Sequence, residues 1–280
     1  MALTLAASRP TVIINADAMQ LVRDLRVITA RPSEAEEGQA EHALYGVLDA
    51  AEPTSVACWL ALVEPVIGRA WAEDKLPLLV GGTGMYVQAL KTGLAAVPPI
   101  PERIRAPIRA MAGAELRQAL EQADPAMAAR LKPGDRQRNA RALEVWQATG
   151  KSLGHWQAQA HAPLFPEADW REYYIDISKE TLYPRLDARF LTMMAEGAEA
   201  EVAALLVREL PPGSPIMRAH GVPELAAYLR GQMPRDAAVT LAQQHTRNYA
   251  KRQQTWLRNQ MADATALAPG DSGTLLETLR

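Results

Sequence analysis

Several features that mark particular classes of protein are scarce in this sequence. It has one cysteine, Cys58, so no disulfide can form within the chain, and a lone thiol is typical of the reducing cytosol. The longest apolar stretches fall well short of the ~20 residues that a membrane-spanning helix needs, and no signal peptide is recognisable. We therefore expect a cytoplasmic protein with no contact to membranes.

An excess of charge of one sign is also missing. Lys and Arg together number 30, against 32 Asp and Glu. This balance argues against a protein that coats nucleic acid through its overall charge, but it leaves room for a local basic surface. The composition is that of a globular protein, since 48% of the 280 residues are hydrophobic and 22% charged.

Two apolar segments predict the strands of a parallel sheet. They are residues 11–15 and 76–80, and continuous apolar runs of this length are typical of strands buried on both faces. Between them, residues 55–73 have helical periodicity, with Ser55 as the N-cap. The side chains expected to face inward from this helix are Cys58, Trp59, Leu62, Val63 and Val66. A strand, helix and strand in this order indicate the α/β class.

Two proline-rich segments, residues 97–101 and 162–166, divide the chain because proline fixes φ and removes a hydrogen-bond donor. Between them we predict a helical insertion, residues 99–162. The remaining residues, 1–98 and 163–280, would form one discontinuous α/β core. In its C-terminal part, residues 173–177 have strand character and more helix follows to the end.

Both predicted strands are followed by residues suited to chemistry. In open α/β sheets ligands bind beyond the carboxyl ends of the strands, where Asp17 could act as a base. The second strand is followed by Gly-Gly-Thr-Gly at 81–84, which allows close approach of a ligand and offers the Thr83 hydroxyl. The alternatives are that Asp17 only caps a helix and that the glycines only form a tight turn.

Cations cluster on two predicted helices. The first begins at Asp135 and places Gln137, Arg138 and Arg141 on one face, opposite Leu143 and Trp146. The second places Arg247, Lys251, Gln254 and Arg258 on one stripe, opposite Tyr249 and Trp256. Either face could simply be solvated, but nucleic-acid phosphates are the natural partner of the second, which has no interleaved Glu.

Three further polar side chains are candidates for ligand binding. Arg185 and Arg189 lie one helical turn apart, and a pair of guanidinium groups suits a diphosphate. They could instead pair with Asp187 or Glu196. His220, beside a glycine turn, is a possible donor, although a lone histidine is more often structural.

Six segments together resemble the tRNA dimethylallyltransferase family, whose bacterial members prenylate the adenosine next to the anticodon. They occur in the family's order and span nearly the whole chain, at residues 15–20, 29–33, 81–86, 135–144, 218–224 and 251–258. The resemblance implies a P-loop-NTPase-like parallel-sheet core flanked by helices, with the helical insertion contacting tRNA. The family also suggests a monomer.

The resemblance implies a reaction as well. A dimethylallyl group would pass from dimethylallyl diphosphate to N6 of adenosine 37 in tRNA, giving N6-isopentenyladenosine. Asp17 would accept the N6 proton, Thr83 would support the reacting centre and Arg189, with Arg185 near it, would hold the diphosphate, whose charge Mg²⁺ would share. Enzymes that modify a base must first extract it from the stack.

The anticodon stem-loop would be held by residues of the matching segments and by one arginine near the start of the insertion. This expected set is Asp17, Ala18, Met19, Gln20, Thr83, Arg105, Gln137, Arg138, Asn139, Ala140, Arg141, Arg218, Ala219, His220, Gly221, Val222, Pro223, Lys251, Arg252, Gln253, Gln254, Thr255, Trp256, Leu257 and Arg258.

One family feature has no counterpart in this sequence. Members begin with a strand and a Gly-Pro-Thr-Ala-Ser-Gly-Lys-Ser/Thr loop, whose backbone N–H groups and lysine hold a diphosphate, and Met1 lies close to where that loop would end. We therefore expect these 280 residues alone to bind the diphosphate poorly and to turn over slowly or not at all. The alternatives are an inactive tRNA-binding module and a small-molecule kinase of the same core, although a kinase needs no such basic helices.

Overall fold

The structure is a computed structural model, and it describes residues 1–52, 54–159, 161–211 and 213–279. The chain divides into two compact units, one formed by residues 1–89 and 167–280 and the other by residues 90–166. The second unit extends beyond the predicted insertion, 99–162, at both ends. None of the described helices is long and apolar enough to cross a membrane.

Helices outnumber strands along the described chain. In chain order the elements are α1 (Ala2–Ser8), β1 (Thr11–Asn15), α2 (Glu34–Glu37), β2 (Glu41–Ala43), α3 (Val56–Ala72), β3 (Leu76–Val80), α4 (Gly84–Thr92), α5 (Glu102–Ala110), α6 (Gly113–Ala123), α7 (Pro125–Arg130), α8 (Arg136–Thr149), α9 (Leu153–Gln157), β4 (Tyr173–Ile175), α10 (Lys179–Ala195), α11 (Ala198–Val207), a 3₁₀ turn (Pro215–Arg218), α12 (Val222–Leu229), α13 (Arg235–Gln260), β5 (Thr265–Leu267) and α14 (Ser272–Thr278).

The main sheet consists of three parallel strands in the order β2, β1, β3. Both predicted strands are present with the predicted bounds, and β1 is buried along its whole length. The expectation that β3 is buried on both faces is wrong. It lies at an edge of the described sheet, so its residues are only half-buried and Val80 is 37% exposed. The short strand β2 was not predicted, since it has three residues and two of them are polar.

Helix α3 connects β2 to β3 and packs on the sheet. Its N-cap is Ser55, as predicted, whose hydroxyl accepts a hydrogen bond from Cys58 N at 3.1 Å. Trp59 and Val63 face the core as expected. Cys58, Leu62 and Val66 do not, because the buried row continues through Ile67 and Ala70 and leaves these three only half-buried.

The C-terminal part of the first unit is mostly helical. The predicted strand at 173–177 is present but ends at Ile175, and it pairs in parallel with β5 in a separate two-stranded sheet. We did not expect β5, because it is only three residues long. Helices α10 to α12 enclose a core that includes Phe190, Val202 and Leu225.

All described secondary structure between residues 99 and 162 is helical, as predicted. The core of this second unit includes Ile108, Leu116, Leu120 and Leu143. Helix α8 begins where expected, with Asp135 accepting a hydrogen bond from Arg138 N at 3.1 Å.

Candidate functional site

The end of β1 holds Asp17 in place through a buried asparagine. Asn15 is 0% exposed; its Oδ1 accepts from Asp17 N at 2.8 Å, and its Nδ2 donates to Asp17 O and Leu44 O, each at 3.0 Å. Trp59 Nε1 donates to the Asn15 carbonyl oxygen at 2.8 Å. Because a buried amide with both ends hydrogen-bonded is held firmly, the backbone at Asp17 is anchored.

The Asp17 carboxylate has one engaged oxygen and one open oxygen. Oδ1 accepts from Met19 N at 2.9 Å and from Gln20 N at 3.4 Å, whereas Oδ2 accepts no hydrogen bond from the described residues. The helix-cap alternative is wrong, since residues 18–20 form turns and no helix starts there. Burial raises the pKa of Asp17, and the two backbone N–H groups and nearby His220 lower it less. A carboxylate of this kind fits a general base.

The Gly-Gly-Thr-Gly loop lies directly beside Asp17. Asn15 and Val80 are paired in the sheet, so the residues that follow them meet at one edge. Thr83 N donates to Ala16 O at 3.1 Å, and Thr83 Oγ1 accepts from Ala18 N at 3.1 Å. A Cβ at Gly81 would lie 2.3 Å from the Ala16 carbonyl carbon, so glycine is required there. We call residues 15–20 and 81–84 together the strand-end site.

Helix α13 supports the strand-end site with two side chains. Gln253 Nε2 donates to Gly82 O at 3.2 Å. The indole of Trp256 lies so close to Gly84 that a Cβ there would come within 2.4 Å of it. Both residues were expected to contact tRNA, and the structure instead places their side chains against the loop.

The segment 218–223 meets α13 in a pocket of about 240 Å³. Its lining residues are Arg218, Ala219, His220, Pro223, Glu224, His245, Asn248 and Arg252. The His220 ring packs on Tyr249 with the centroids 4.5 Å apart, and burial, followed by the nearby Arg252, lowers the pKa of His220. Ala219, Gly221 and Val222 are buried, so these residues do not form part of an exposed tRNA surface.

The predicted cationic stripe of α13 is only partly free. Arg247 Nη1 pairs with Asp187 Oδ1 at 2.5 Å, and Gln254 Nε2 donates to Ile177 O at 2.9 Å. The prediction of four free side chains on this stripe is therefore wrong for Arg247 and Gln254, because neighbouring segments hold both. On α13, the exposed positions among those predicted for tRNA contact are Lys251, Arg252, Thr255 and Arg258, whereas Leu257 is half-buried.

The two arginines of α10 are exposed on its surface. The alternative in which they pair with Asp187 or Glu196 is wrong, since Asp187 pairs with Arg247. Neither Arg185 nor Arg189 forms a salt bridge with any acidic residue in the described parts of the chain. Both guanidinium groups are therefore available to a ligand.

In the second unit, α8 exposes part of the expected set. Gln137 and Arg138 are exposed, whereas Asn139 and Ala140 are buried, at 1% and 8% exposure. Asn139 holds the start of the helix, since its Nδ2 donates to Lys132 O and Asp135 O. Asn139 and Ala140 therefore do not belong to an exposed tRNA surface.

A buried glutamate, Glu144, forms ion pairs with two arginines of this unit. Glu144, with 2% of its side chain exposed, accepts from Arg109 Nε at 2.9 Å and lies 3.8 Å from Arg141 Nη1. Burial lowers the pKa of Arg141, Glu144 raises it, and Arg105 and Arg109 lower it. Arg105 thus lies near Arg141.

Sequence reasoning missed two residues of the site. Asn15 lies in the predicted strand and in the matching segment 15–20, but the sequence analysis assigns it no role. A polar residue at the end of an otherwise apolar run is the signal that identifies it. Tyr45 lies close enough to Asp17 to be affected by its charge, and burial followed by that charge raises the pKa of Tyr45 to about 12. No pattern in the sequence indicated Tyr45.

Known proteins match this chain over nearly its full length. The model of the IPP transferase family matches residues 20–260. The tRNA dimethylallyltransferase of Azorhizobium caulinodans is 49% identical over 267 residues, which cover 94% of this chain and 86% of that protein. The tRNA dimethylallyltransferase of Rhodospirillum centenum is 46% identical over 275 residues, covering 97% and 88%.

Solved structures agree with these matches. The tRNA isopentenylpyrophosphate transferase of Bacillus halodurans has a TM-score of 0.70 at 27% identity, covering 99% of this chain and 88% of that one. A eukaryotic dimethylallyltransferase has a TM-score of 0.81 at 23% identity, covering 97% and 71%, and shares the fold. The expected α/β core of P-loop-NTPase type is confirmed. Because the family model covers most of the sequence and relatives are nearly half identical along it, the chain belongs to the IPP transferase family.

Proposed function

We propose that this chain transfers a dimethylallyl group from dimethylallyl diphosphate to N6 of the adenosine 3′ to the anticodon in tRNA. Its relatives in Azorhizobium and Rhodospirillum are named for this reaction. The observation that carries the proposal is the Asp17 carboxylate, with Oδ1 held by two backbone N–H groups and Oδ2 open. A base in this position suits the removal of one proton from an amine that attacks carbon.

In the proposed reaction N6 of the adenine forms a bond to C1 of the dimethylallyl group while the bond from C1 to the diphosphate oxygen breaks. The electron pair of that bond leaves with the diphosphate. The N6 proton passes to Oδ2 of Asp17, whose pKa is raised by burial toward the range useful to a base. Thr83 would keep the carboxylate in place through the hydrogen bond that its Oγ1 accepts from Ala18 N.

Arg185 and Arg189 are proposed to hold the diphosphate, since both are exposed and free of salt bridges within the described residues. In those same residues no three His, Cys, Asp or Glu side chains come together as a metal site. We propose that Mg²⁺ is bound by the oxygens of the diphosphate, as part of the substrate, where it would share their charge.

The proposed tRNA surface consists of exposed polar and cationic side chains, which suit contacts to backbone phosphates. In the second unit the exposed ones are Gln137 and Arg138, beside the half-buried Arg105 and Arg141. In the first unit they are Arg218, Lys251, Arg252 and Arg258. An adenine that reacts at N6 must leave the base stack. Asp17 and Gln20 are proposed to contact the extruded adenine.

Two anticodon stem-loops that differ in one nucleotide test the proposal. One carries adenosine at the target position and the other purine riboside, which lacks the amine. With labelled dimethylallyl diphosphate and Mg²⁺, we expect label in the first only, located on N6 by mass spectrometry of the nucleosides. Labelling should be slow with these 280 residues alone and faster when the family's N-terminal strand and Gly-Pro-Thr-Ala-Ser-Gly-Lys-Ser/Thr loop precede them. If both stem-loops bind and neither is labelled even when that strand and loop are present, the transfer proposal is wrong and a tRNA-binding module is favoured.

A further inference from the structure

Glu201, in the first turn of α11, binds a distant backbone turn. Its Oε1 accepts from Arg26 N at 2.9 Å and from Val27 N at 2.8 Å, and its Oε2 accepts from Ile28 N at 3.0 Å. Successive N–H groups that converge in this way form a concave backbone site for an anion. Glu201 makes no salt bridge within the described residues, so the hydrogen bonds of its carboxylate there are the three to this turn.

The turn bound by Glu201, residues 26–30, also holds the side chain of Gln20. The carbonyl oxygens of Thr29 and Ala30 accept from Gln20 Nε2 at 3.0 and 3.3 Å. Ala30 has a φ of 54°, in the left-handed region that a residue other than glycine adopts only when its surroundings hold it there. The three hydrogen bonds to Glu201, made just before this residue, supply such a restraint.

Gln20 is in turn bonded to the proposed base. The backbone N–H groups of Met19 and Gln20 both donate to Oδ1 of Asp17. A shift of Gln20 therefore moves the donors that orient the carboxylate. This gives a continuous path of hydrogen bonds and backbone from Glu201 to Asp17, although the two carboxylates do not contact each other.

The same turn supports the segment that carries His220. Ile28 lies against Gly221, where a Cβ would come within 2.8 Å of Ile28 Cδ1 and 2.9 Å of Phe190 Cε2. Gly221 has a φ of 93°, so glycine is needed there for its conformation as well as for space. A displaced Ile28 would disturb this close packing.

We propose that Glu201 is a positioning residue for the transfer reaction. Its carboxylate holds residues 26–30, which hold Gln20 and thereby the Asp17 carboxylate. The kinetic consequence rests on the proposed function, whereas the structural coupling does not.

Hydrogen exchange tests the coupling without an activity assay. In E201A we expect faster amide exchange in residues 26–31 and also in residues 17–22. E201Q should show a smaller increase in both, because its amide oxygen still accepts two of the three bonds. E199A is the matched control, since Glu199 lies in the same turn of α11 and, among the residues the structure describes, pairs with Arg235 alone, at 3.0 Å. Faster exchange confined to residues 26–31 would overturn the coupling.

Kinetics then test the consequence, at a temperature where circular dichroism shows each variant to be folded. A small misplacement remote from the chemistry can cost about 100-fold in rate, so we expect kcat of E201A to fall by about tenfold to 100-fold. KM for tRNA should change little, and E201Q should recover part of kcat. The double variant E201A/Q20A should lose less than the product of the two single losses, because both act on one path.

The outcomes separate the two proposals. A folded E201A with the kcat of the unmodified chain, which itself transfers the prenyl group, would overturn the positioning role alone. If the unmodified chain binds tRNA but transfers nothing even when the family's N-terminal strand and loop precede it, the proposed function fails, and the exchange experiment still decides whether Glu201 restrains residues 17–22.

Discussion

The strand-end site and the cationic helices α8 and α13 use polar groups in opposite ways. In the strand-end site, Asn15, Asp17 and Thr83 are hydrogen-bonded to backbone atoms at 2.8–3.4 Å. On the two helices, Arg138, Lys251 and Arg258 are exposed to solvent. The first arrangement determines where one atom lies, and the second determines how much charge a surface carries.

This difference separates two kinds of mutational effect. A group that orients the carboxylate acts on the geometry of the reaction, so its loss should lower kcat. An exposed cation contributes to a phosphate-binding surface that salt screens, so its loss should raise KM by a modest factor. D17N and T83V test the first effect, and R258A and K251A test the second.

D17N should have the largest effect. Asparagine keeps an oxygen for the N–H groups of Met19 and Gln20, so the local structure is retained while the base is lost. A general base contributes about 10²–10⁴-fold, and we expect kcat to fall by that factor with the Kd for tRNA unchanged. A D17N protein with more than a tenth of the original kcat would show that another group removes the proton.

The pH dependence of the original chain follows from the same carboxylate. Burial raises the pKa of Asp17, so kcat should rise with pH through a midpoint above the ordinary aspartate value of about 4. The same shift means that Asp17 stabilises the fold below its unfolded pKa and that this contribution is lost as pH rises through its folded pKa. D17N should therefore be no less stable than the original chain at neutral pH, measured by thermal melts.

T83V should have the next largest effect. Valine has nearly the shape of threonine but cannot accept the hydrogen bond from Ala18 N. We expect kcat to fall by about 10- to 100-fold and the free energy of unfolding by about 1 kcal/mol. T83S is the control, since it keeps the hydroxyl and should stay close to the original kcat. A loss in T83S with none in T83V, which keeps the methyl group, would mean that the methyl group matters rather than the hydrogen bond.

The sequence predicted the elements more fully than the contacts between them. Residues 11–15 and 76–80 were predicted as strands because their continuous apolar runs are typical of strands. The strand β5 was not predicted because a segment of three residues is too short to show periodicity. Helical spacing correctly placed Arg247 and Gln254 on one stripe of α13. It could not show that Asp187 and the Ile177 carbonyl lie opposite them, because those partners come from elsewhere in the fold.

R258A and K251A should have the smallest measurable effects. Both cations are exposed on α13. Each variant should raise KM for tRNA by a few-fold, leave kcat unchanged and reduce the slope of log affinity against log salt by about one. A change in kcat would place these side chains in the reaction rather than on the surface.

R247A is the matched control on the same helix, one turn before Lys251. Because Arg247 is already paired with Asp187, its removal takes no free charge from the surface. We expect an unchanged salt slope and a change in stability of about 0–1 kcal/mol, the range for a pair near the surface. If R247A lowered the slope as much as R258A does, the Asp187 pair would open when tRNA binds, and the stripe of four residues expected from helical spacing would describe the bound state.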